Sequence, residues 1–175
     1  MSRRAPKAET LEPALPSELD QHACRVLDKA HESELKVATA ESCTGGLLAA
    51  LLTDVRGRGH VFDRGFVTYT DESKAELLGI PINVIKQNNA VSRTVALAMA
   101  QGALDRSNAD LAVSITGFAG PGGEDDEEGL VHFGCARRDG TNCHREEHFG
   151  AIGRAGVRIA ALEVALAMVD EALHS

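Results

Sequence analysis

Aromatic residues are scarce in this chain of 175 residues: there is no tryptophan, one tyrosine and five phenylalanines. The core must therefore be built from Ala, Val, Leu and Ile, and a hydrophobic content of 43% is enough for one. No run approaches the roughly 18 apolar residues of a membrane span, and residues 1–16 lack the apolar centre of a signal peptide. Basic residues are in deficit, 18 against 26 acidic, for a net charge of −8. That balance argues against binding a phosphate backbone, although one or two local cations can still hold a small anion. The four cysteines, Cys24, Cys43, Cys135 and Cys143, show no C-x-x-C spacing, so neither a zinc motif nor a redox motif is read, and they are taken as reduced thiols. The expectation is a soluble, cytoplasmic protein that binds neither nucleic acid nor membrane and needs no metal or cofactor.

The richest stretch is Ala40-Glu41-Ser42-Cys43-Thr44-Gly45-Gly46, set between the apolar runs 35–40 and 47–52. This pattern reads as strand, tight turn, helix. Such a turn lifts a side chain off the carboxyl edge of a sheet and sets helix N–H groups beside it, as a developing oxyanion requires. The same residues also suit ordinary N-capping, with Ser42 or Thr44 as the cap, and spacing alone leaves both readings open.

Residues 1–16 are polar, carry Pro6, Pro13 and Pro16, and are read as a tail, with a single domain over 17–175. A helix is expected from Ser17 to about His31, a strand over 35–41, and a helix from about Thr44 to Asp54. Val61 to Thr70 reads as a second strand. Asp71 is expected to cap a short helix closed by Gly79, and another short helix starts at Pro81. Ser92 caps the next long helix, and Ala109 to Thr116 is an apolar strand buried on both sides. Leu130–Arg138 and Asn142–Phe149 flank Asp139-Gly140, a two-residue hairpin signal that would set Cys143 opposite Ala136 and disfavour a Cys135–Cys143 disulfide. The last helix spans about 153–173. The order predicts a three-layer α/β domain with parallel crossovers and at least one antiparallel strand. Ligands bind such sheets off the strand carboxyl ends, which gathers loops 41–46, 69–74 and 116–123.

A serine becomes a nucleophile only beside a base. The histidines His60, His132, His144 and His148 show no tie to Ser42. Lys74 can serve if its pKa is depressed, although a lysine in a first helical turn is more commonly a surface residue.

Four segments closely resemble the CinA C-terminal domain family: 40–46, Val67-Thr68-Tyr69-Thr70-Asp71-Glu72-Ser73-Lys74, Ala90-Val91-Ser92, and Thr116-Gly117-Phe118-Ala119-Gly120-Pro121-Gly122-Gly123. The resemblance covers most of residues 17–174 and implies a three-layer α/β/α sandwich with a mixed, mostly parallel sheet. Family members with known activity are nicotinamide-nucleotide amidohydrolases, which convert nicotinamide mononucleotide (NMN) to nicotinate mononucleotide and ammonia without metal. By motif, the resemblance makes Ser42 the nucleophile, Lys74 the base, Tyr69 an assisting tyrosine and Thr116 a polar neighbour. Thr44, Gly45, Gly46, Gly117 and Gly120 fall in the substrate-binding loops, and one of Arg154 and Arg158 is a candidate for the phosphate. Members are often dimers or larger, so a homo-oligomer is expected.

The chain departs from the family pattern in three places. Gln87-Asn88-Asn89 replaces Gly-His-Gly, Glu124–Gly129 replaces a Lys-Pro-Val-Gly-like segment, and Ala151-Ile152-Gly153-Arg154 replaces Gly-Asp-Arg. None touches Ser42, Tyr69, Lys74 or Thr116. Two alternatives follow from the changed loops: a serine amidohydrolase for another small amide, or a degenerate member that only binds a nucleotide or a partner.

Overall fold

The computed structural model describes residues 14–123 and 126–174. Most of the expected tail, and Glu124 and Asp125 of the acidic run, lie outside them. The elements run α1 (Ser17–Glu32), β1 (Val37–Glu41), α2 (Leu47–Asp54), β2 (Phe62–Val67), α3 (Asp71–Leu78), α4 (Ile82–Asn88), α5 (Arg93–Asp105), β3 (Leu111–Gly117), β4 (Leu130–Arg137), β5 (Asn142–His148) and α6 (Gly153–Leu173). The strands form one sheet in the order β2-β1-β3-β4-β5. β1 pairs parallel with β2 and β3, whereas β4 pairs antiparallel with β3 and β5. Among the described strands only β4 runs against the others, so the expected mixed, mostly parallel three-layer sheet is what forms.

The two faces of the sheet differ in side-chain size, and this sets the depth of the layers. Val37, Leu111, Val113, Ile115, Val131 and Phe133 pack under α1, α2 and α6. The other face carries Ala38, Ala40, Ala112 and Ala136 under α3, α4 and α5. Its small residues let α5 come close: Ser114 Oγ donates to Ala96 O at 2.6 Å and accepts from Gly134 N–H at 3.1 Å. The alternation of a strand sends successive side chains to opposite faces. One residue of offset therefore decides which helical layer a functional group meets.

Three local expectations need correction. First, α3 is capped by Thr70, which is extended and forms a reciprocal capping box with Ser73, so Asp71 is the first helical residue and not the cap. Second, β2 is shorter than expected, because the chain leaves the sheet after Val67 to turn into that cap. Third, the β4–β5 hairpin does not use a two-residue turn. Gly140 N–H donates to Arg137 O at 3.1 Å, Arg137 N–H donates to Thr141 O at 2.9 Å, and Gly140 has φ +91°. This is a three-residue loop ending in a left-handed glycine. The extra residue moves the register by one and sets Cys143 opposite Cys135 rather than Ala136. Both are free thiols, and the register argument against pairing them no longer holds.

Candidate active site

The site begins where β1 ends. Ser42 N–H continues the ladder by donating to Ile115 O at 2.9 Å. Glu41 is in register with Ile115, so alternation sends Glu41 to the α2 face and Ser42 and Thr116 together to the α3–α5 face. The chain then turns through Gly45 (φ +64°) and Gly46 (φ +95°), left-handed conformations that glycine adopts without steric penalty.

That turn places the last residue of the strand under the start of α2, and Glu41 caps the helix. Its Oε2 accepts from Thr44 Oγ1 at 2.7 Å and from the N–H groups of Gly46 and Leu48, each at 3.1 Å. Its Oε1 accepts from Ala49 N–H at 2.8 Å. Glu41 is fully buried, and the carboxylate uses helix N–H donors where no cation stands. This overturns the expected cap. Ser42 does not cap α2, and the Thr44 hydroxyl serves Glu41 instead of the backbone.

Freed from capping, Ser42 Oγ lies 3.3 Å from Lys74 Nζ. Thr70 and Ser73 fix the first turn of α3, and that turn aims Lys74 inward. Lys74 is 1% exposed, and Nζ also donates to Thr68 O at 3.1 Å and Tyr69 O at 3.3 Å. Burial holds its pKa below the ordinary lysine value, an effect that Asp71 and then Cys43 partly offset. A neutral amine has two hydrogens and one lone pair. With both hydrogens on the two carbonyls, the lone pair faces the Ser42 hydroxyl. Burial also pushes the neighbouring Cys43 thiol up to about 12, so it stays protonated at neutral pH.

The remaining expected residues divide. A cavity of about 280 Å³ is lined by Ser42, Lys74, Tyr69, Thr116, Gly120 and Arg154, with Gly117 also at its wall. Thr116 Oγ1 donates to Ala90 O at 2.8 Å, which commits its hydrogen and leaves its lone pairs. The Tyr69 side chain is exposed at the mouth, and it is the Tyr69 carbonyl that touches Lys74. Thr44, Gly45 and Gly46 do not line the cavity, and Gly46 N–H is spent on Glu41. The helix-start N–H groups expected beside the serine are therefore not presented to this cavity. Cys43, Ala119 and Gly120 line the cavity, and among the described residues their N–H groups donate to no carbonyl.

The two arginines have separate places. Arg158 Nε donates to Cys43 O at 2.8 Å and so braces the turn after Ser42. Arg154, one turn earlier on α6, lies across the cavity wall, where a Cβ at Gly120 would stand 3.0 Å from its guanidinium. Sequence reasoning missed Glu41, whose role depends on the glycine turn bringing α2 back over it, and the three backbone carbonyls that hold Lys74 and Thr116.

The family model for the CinA C-terminal domain matches residues 19–173. The chain belongs to the CinA C-terminal domain family. A CinA-like protein of Akkermansia muciniphila is 54% identical over 111 residues, which are 62% of this chain and 27% of that protein. Nicotinamide-nucleotide amidohydrolase PncC of Escherichia coli K12 is 47% identical over 115 residues, covering 65% of this chain and 70% of that protein. The crystal structure of competence/damage inducible protein CihA from Agrobacterium tumefaciens superposes with a TM-score of 0.88 at 44% identity, covering 92% of this chain and 98% of that one. The chain thus spans about a quarter of the length of the long CinA-like relatives and most of the short ones.

Two outcomes test the site's physical basis. Glu41→Gln turns one acceptor into a donor facing α2 N–H groups, and it should lower stability by about 1–3 kcal/mol in urea unfolding. A stability unchanged within error would show that the cap is not needed. Lys74→Met replaces a buried amine by an apolar side chain of similar length. Because the folded-state pKa of Lys74 is depressed, the unfolded chain binds the extra proton, so burying Lys74 costs stability at neutral pH and the cost fades as pH rises to the unfolded value of about 10.4. Lys74→Met should therefore melt higher than the parent at pH 7, with the gap closing toward pH 10. A lower melting temperature at pH 7 contradicts that account.

Proposed function

We propose that this chain hydrolyses the carboxamide of NMN through a covalent Ser42 intermediate, with Lys74 as the general base and acid. The observation that carries this reading is the buried Lys74 amine, 3.3 Å from the Ser42 hydroxyl with its other donors held by two carbonyls. The likeness to the E. coli relative named nicotinamide-nucleotide amidohydrolase supports the substrate class.

In the proposed course, neutral Lys74 accepts the Ser42 proton as Oγ attacks the carboxamide carbon. The carbonyl oxygen becomes an oxyanion, held by cavity N–H groups among Cys43, Ala119 and Gly120. Collapse breaks the C–N bond, and Lys74 returns the proton to the leaving nitrogen, releasing ammonia and a nicotinoyl ester on Ser42. A water then gives its proton to Lys74, its oxygen attacks the ester, and Ser42 leaves with that proton as nicotinate mononucleotide forms. Arg154 is assigned the substrate phosphate, because it lines the cavity while Arg158 is occupied at Cys43.

A second reading, a different small amide, is favoured by one observation. Two of the three departures from the family pattern meet at a second cavity of about 650 Å³ beside the first, lined by Asn89, Asp126 and Glu127 together with Ala90, Val91 and Phe118. The last three residues line both cavities, so the altered loops border a space next to the candidate site.

Ammonia release from NMN, measured beside Ser42→Ala, separates the readings. The parent should turn over NMN, and Ser42→Ala and Lys74→Ala should each lose at least about a thousandfold. Folded parent protein that releases ammonia from other amides but not from NMN selects the second reading. Near-normal turnover by Ser42→Ala removes the nucleophile from this assignment.

The pH profile gives an independent check. Activity needs neutral Lys74, so kcat/KM should rise with pH and level off, with a midpoint below the ordinary lysine value. Asp71 raises the Lys74 pKa, so Asp71→Asn should move that midpoint downward. A midpoint that ignores Asp71→Asn would mean that another group is being titrated.

A further inference from the structure

Away from Lys74, the same face of the sheet carries a cluster that the proposed hydrolysis does not use. His132 on β4 stands opposite Glu146 on β5, and His144 lies two residues along β5 on the same face. His132 Nδ1 is 3.0 Å from His144 Nε2 and 3.5 Å from Glu146 Oε2. One ligand atom from each of the three residues falls within 4.8 Å of the others. Ligands on a tetrahedral ion with bonds of about 2.0–2.1 Å stand about 3.3 Å apart, so small side-chain adjustments complete the geometry. His132 is 7% exposed, and its approach to a second imidazole brings two lone-pair-bearing nitrogens together where only one proton can be shared.

Outer partners also orient the third ligand. His148 Nε2 lies 3.1 Å from Glu146 Oε1, the other oxygen of that carboxylate, and His148 Nδ1 lies 2.6 Å from Glu127 Oε1. A carboxylate–imidazole–carboxylate chain of this kind fixes the direction of a metal-binding carboxylate.

We infer that His132, His144 and Glu146 form a binding site for one late first-row divalent cation of the Zn²⁺ class, with a fourth position left for water. Two imidazoles and a carboxylate are the donor set such ions take, and the hard oxygen shell that Mg²⁺ or Ca²⁺ requires is missing here. The ion bridges edge strand β5 to β4 and clamps the hairpin. The site is separate from the Ser42 chemistry. Ser42, Thr116, His132 and Glu146 occupy successive strands in one row, and two strand spacings of about 4.8 Å put His132 roughly 10 Å from Ser42, with Thr116 between.

Calorimetric titration of chelator-treated, reduced full-length protein with ZnCl₂ tests the inference, with thermal melting and Co²⁺ absorption as further readouts. The parent should bind one equivalent and melt higher with Zn²⁺. His144→Ala should weaken binding by at least about a hundredfold and abolish the thermal shift, and His148→Ala should weaken binding about 10–100-fold. His60→Ala and Cys143→Ser should bind like the parent, because they remove the His31–His60 pair and the hairpin thiol and leave the cluster intact. Three outcomes overturn the inference: no stoichiometric binding by folded parent, parent-like binding by His144→Ala, or a thiolate charge-transfer band with Co²⁺. Ammonia release takes no part in these readouts, so the site and the proposed hydrolysis can fail separately.

Discussion

An amine kept out of water is the constraint around which this molecule is arranged. Lys74 is among its largest fully buried side chains, and an ammonium there has lost its hydration without gaining a carboxylate in contact. Among the described residues, its hydrogen-bond partners are two carbonyls and a serine hydroxyl. The protein can lower that cost in one way, by letting the group go neutral, and neutrality is what makes a lysine a base. A structural feature that looks like a stability defect is thus what the proposed chemistry requires.

The surrounding fold keeps that amine and its serine in place through buried polar groups rather than flexible contacts. Glu41 and Ser42 are consecutive and point to opposite faces. The first ties the turn to α2, and the second meets α3. Arg158 holds the intervening carbonyl of Cys43 from α6. Three helices from both layers therefore fix a turn of a few residues, and each contact is short and buried or half-buried. Placement at this precision is what covalent catalysis needs of its nucleophile and base.

Some of this was legible in the chain and some was not, and the difference lies in what local pattern can encode. The helix–strand order, the Ser92 cap, the Gly79 stop and the convergence of three loops at the carboxyl edge follow from apolar periodicity and turn residues, which act within a few positions. Lys74 was readable as a possible base for Ser42, but motif resemblance was needed to prefer it over a surface lysine, because nothing local says that the first turn of α3 looks inward. Glu41 stayed hidden because a strand residue becomes a helix cap only after two left-handed glycines fold the chain back over it. The hairpin register failed for a smaller reason. Asp139-Gly140 suits both a two-residue turn and the end of a three-residue loop, and that single residue decides whether Cys143 faces Ala136 or Cys135. The His132–His144–Glu146 cluster depends on the same register, so its members, twelve or more residues apart across the hairpin, carry no spacing signal of their own.

The acidic segment after the glycine loop bears on substrate choice through range rather than contact. Asp126 and Glu127 are exposed, Asp126 accepts from Gly123 N–H at 2.7 Å, and Glu127 is engaged with His148. Charges in water are screened within about 8 Å at physiological salt, so these carboxylates act mainly on the approach of an anion and little on one already seated. Inside the cavity the balance is different. Arg154 is exposed at the cavity wall and has no acidic partner among the described residues, so its guanidinium can meet an anion there. Repulsion at the rim and attraction at the wall oppose each other at different distances. A nucleotide that reaches Arg154 gains a contact that the rim cannot cancel, whereas a neutral amide gains nothing from Arg154 and meets no barrier. The chain's net negative charge therefore slows the proposed substrate's arrival without deciding against it, and in the proposed reading the phosphate is met by the guanidinium that α6 sets against Gly120.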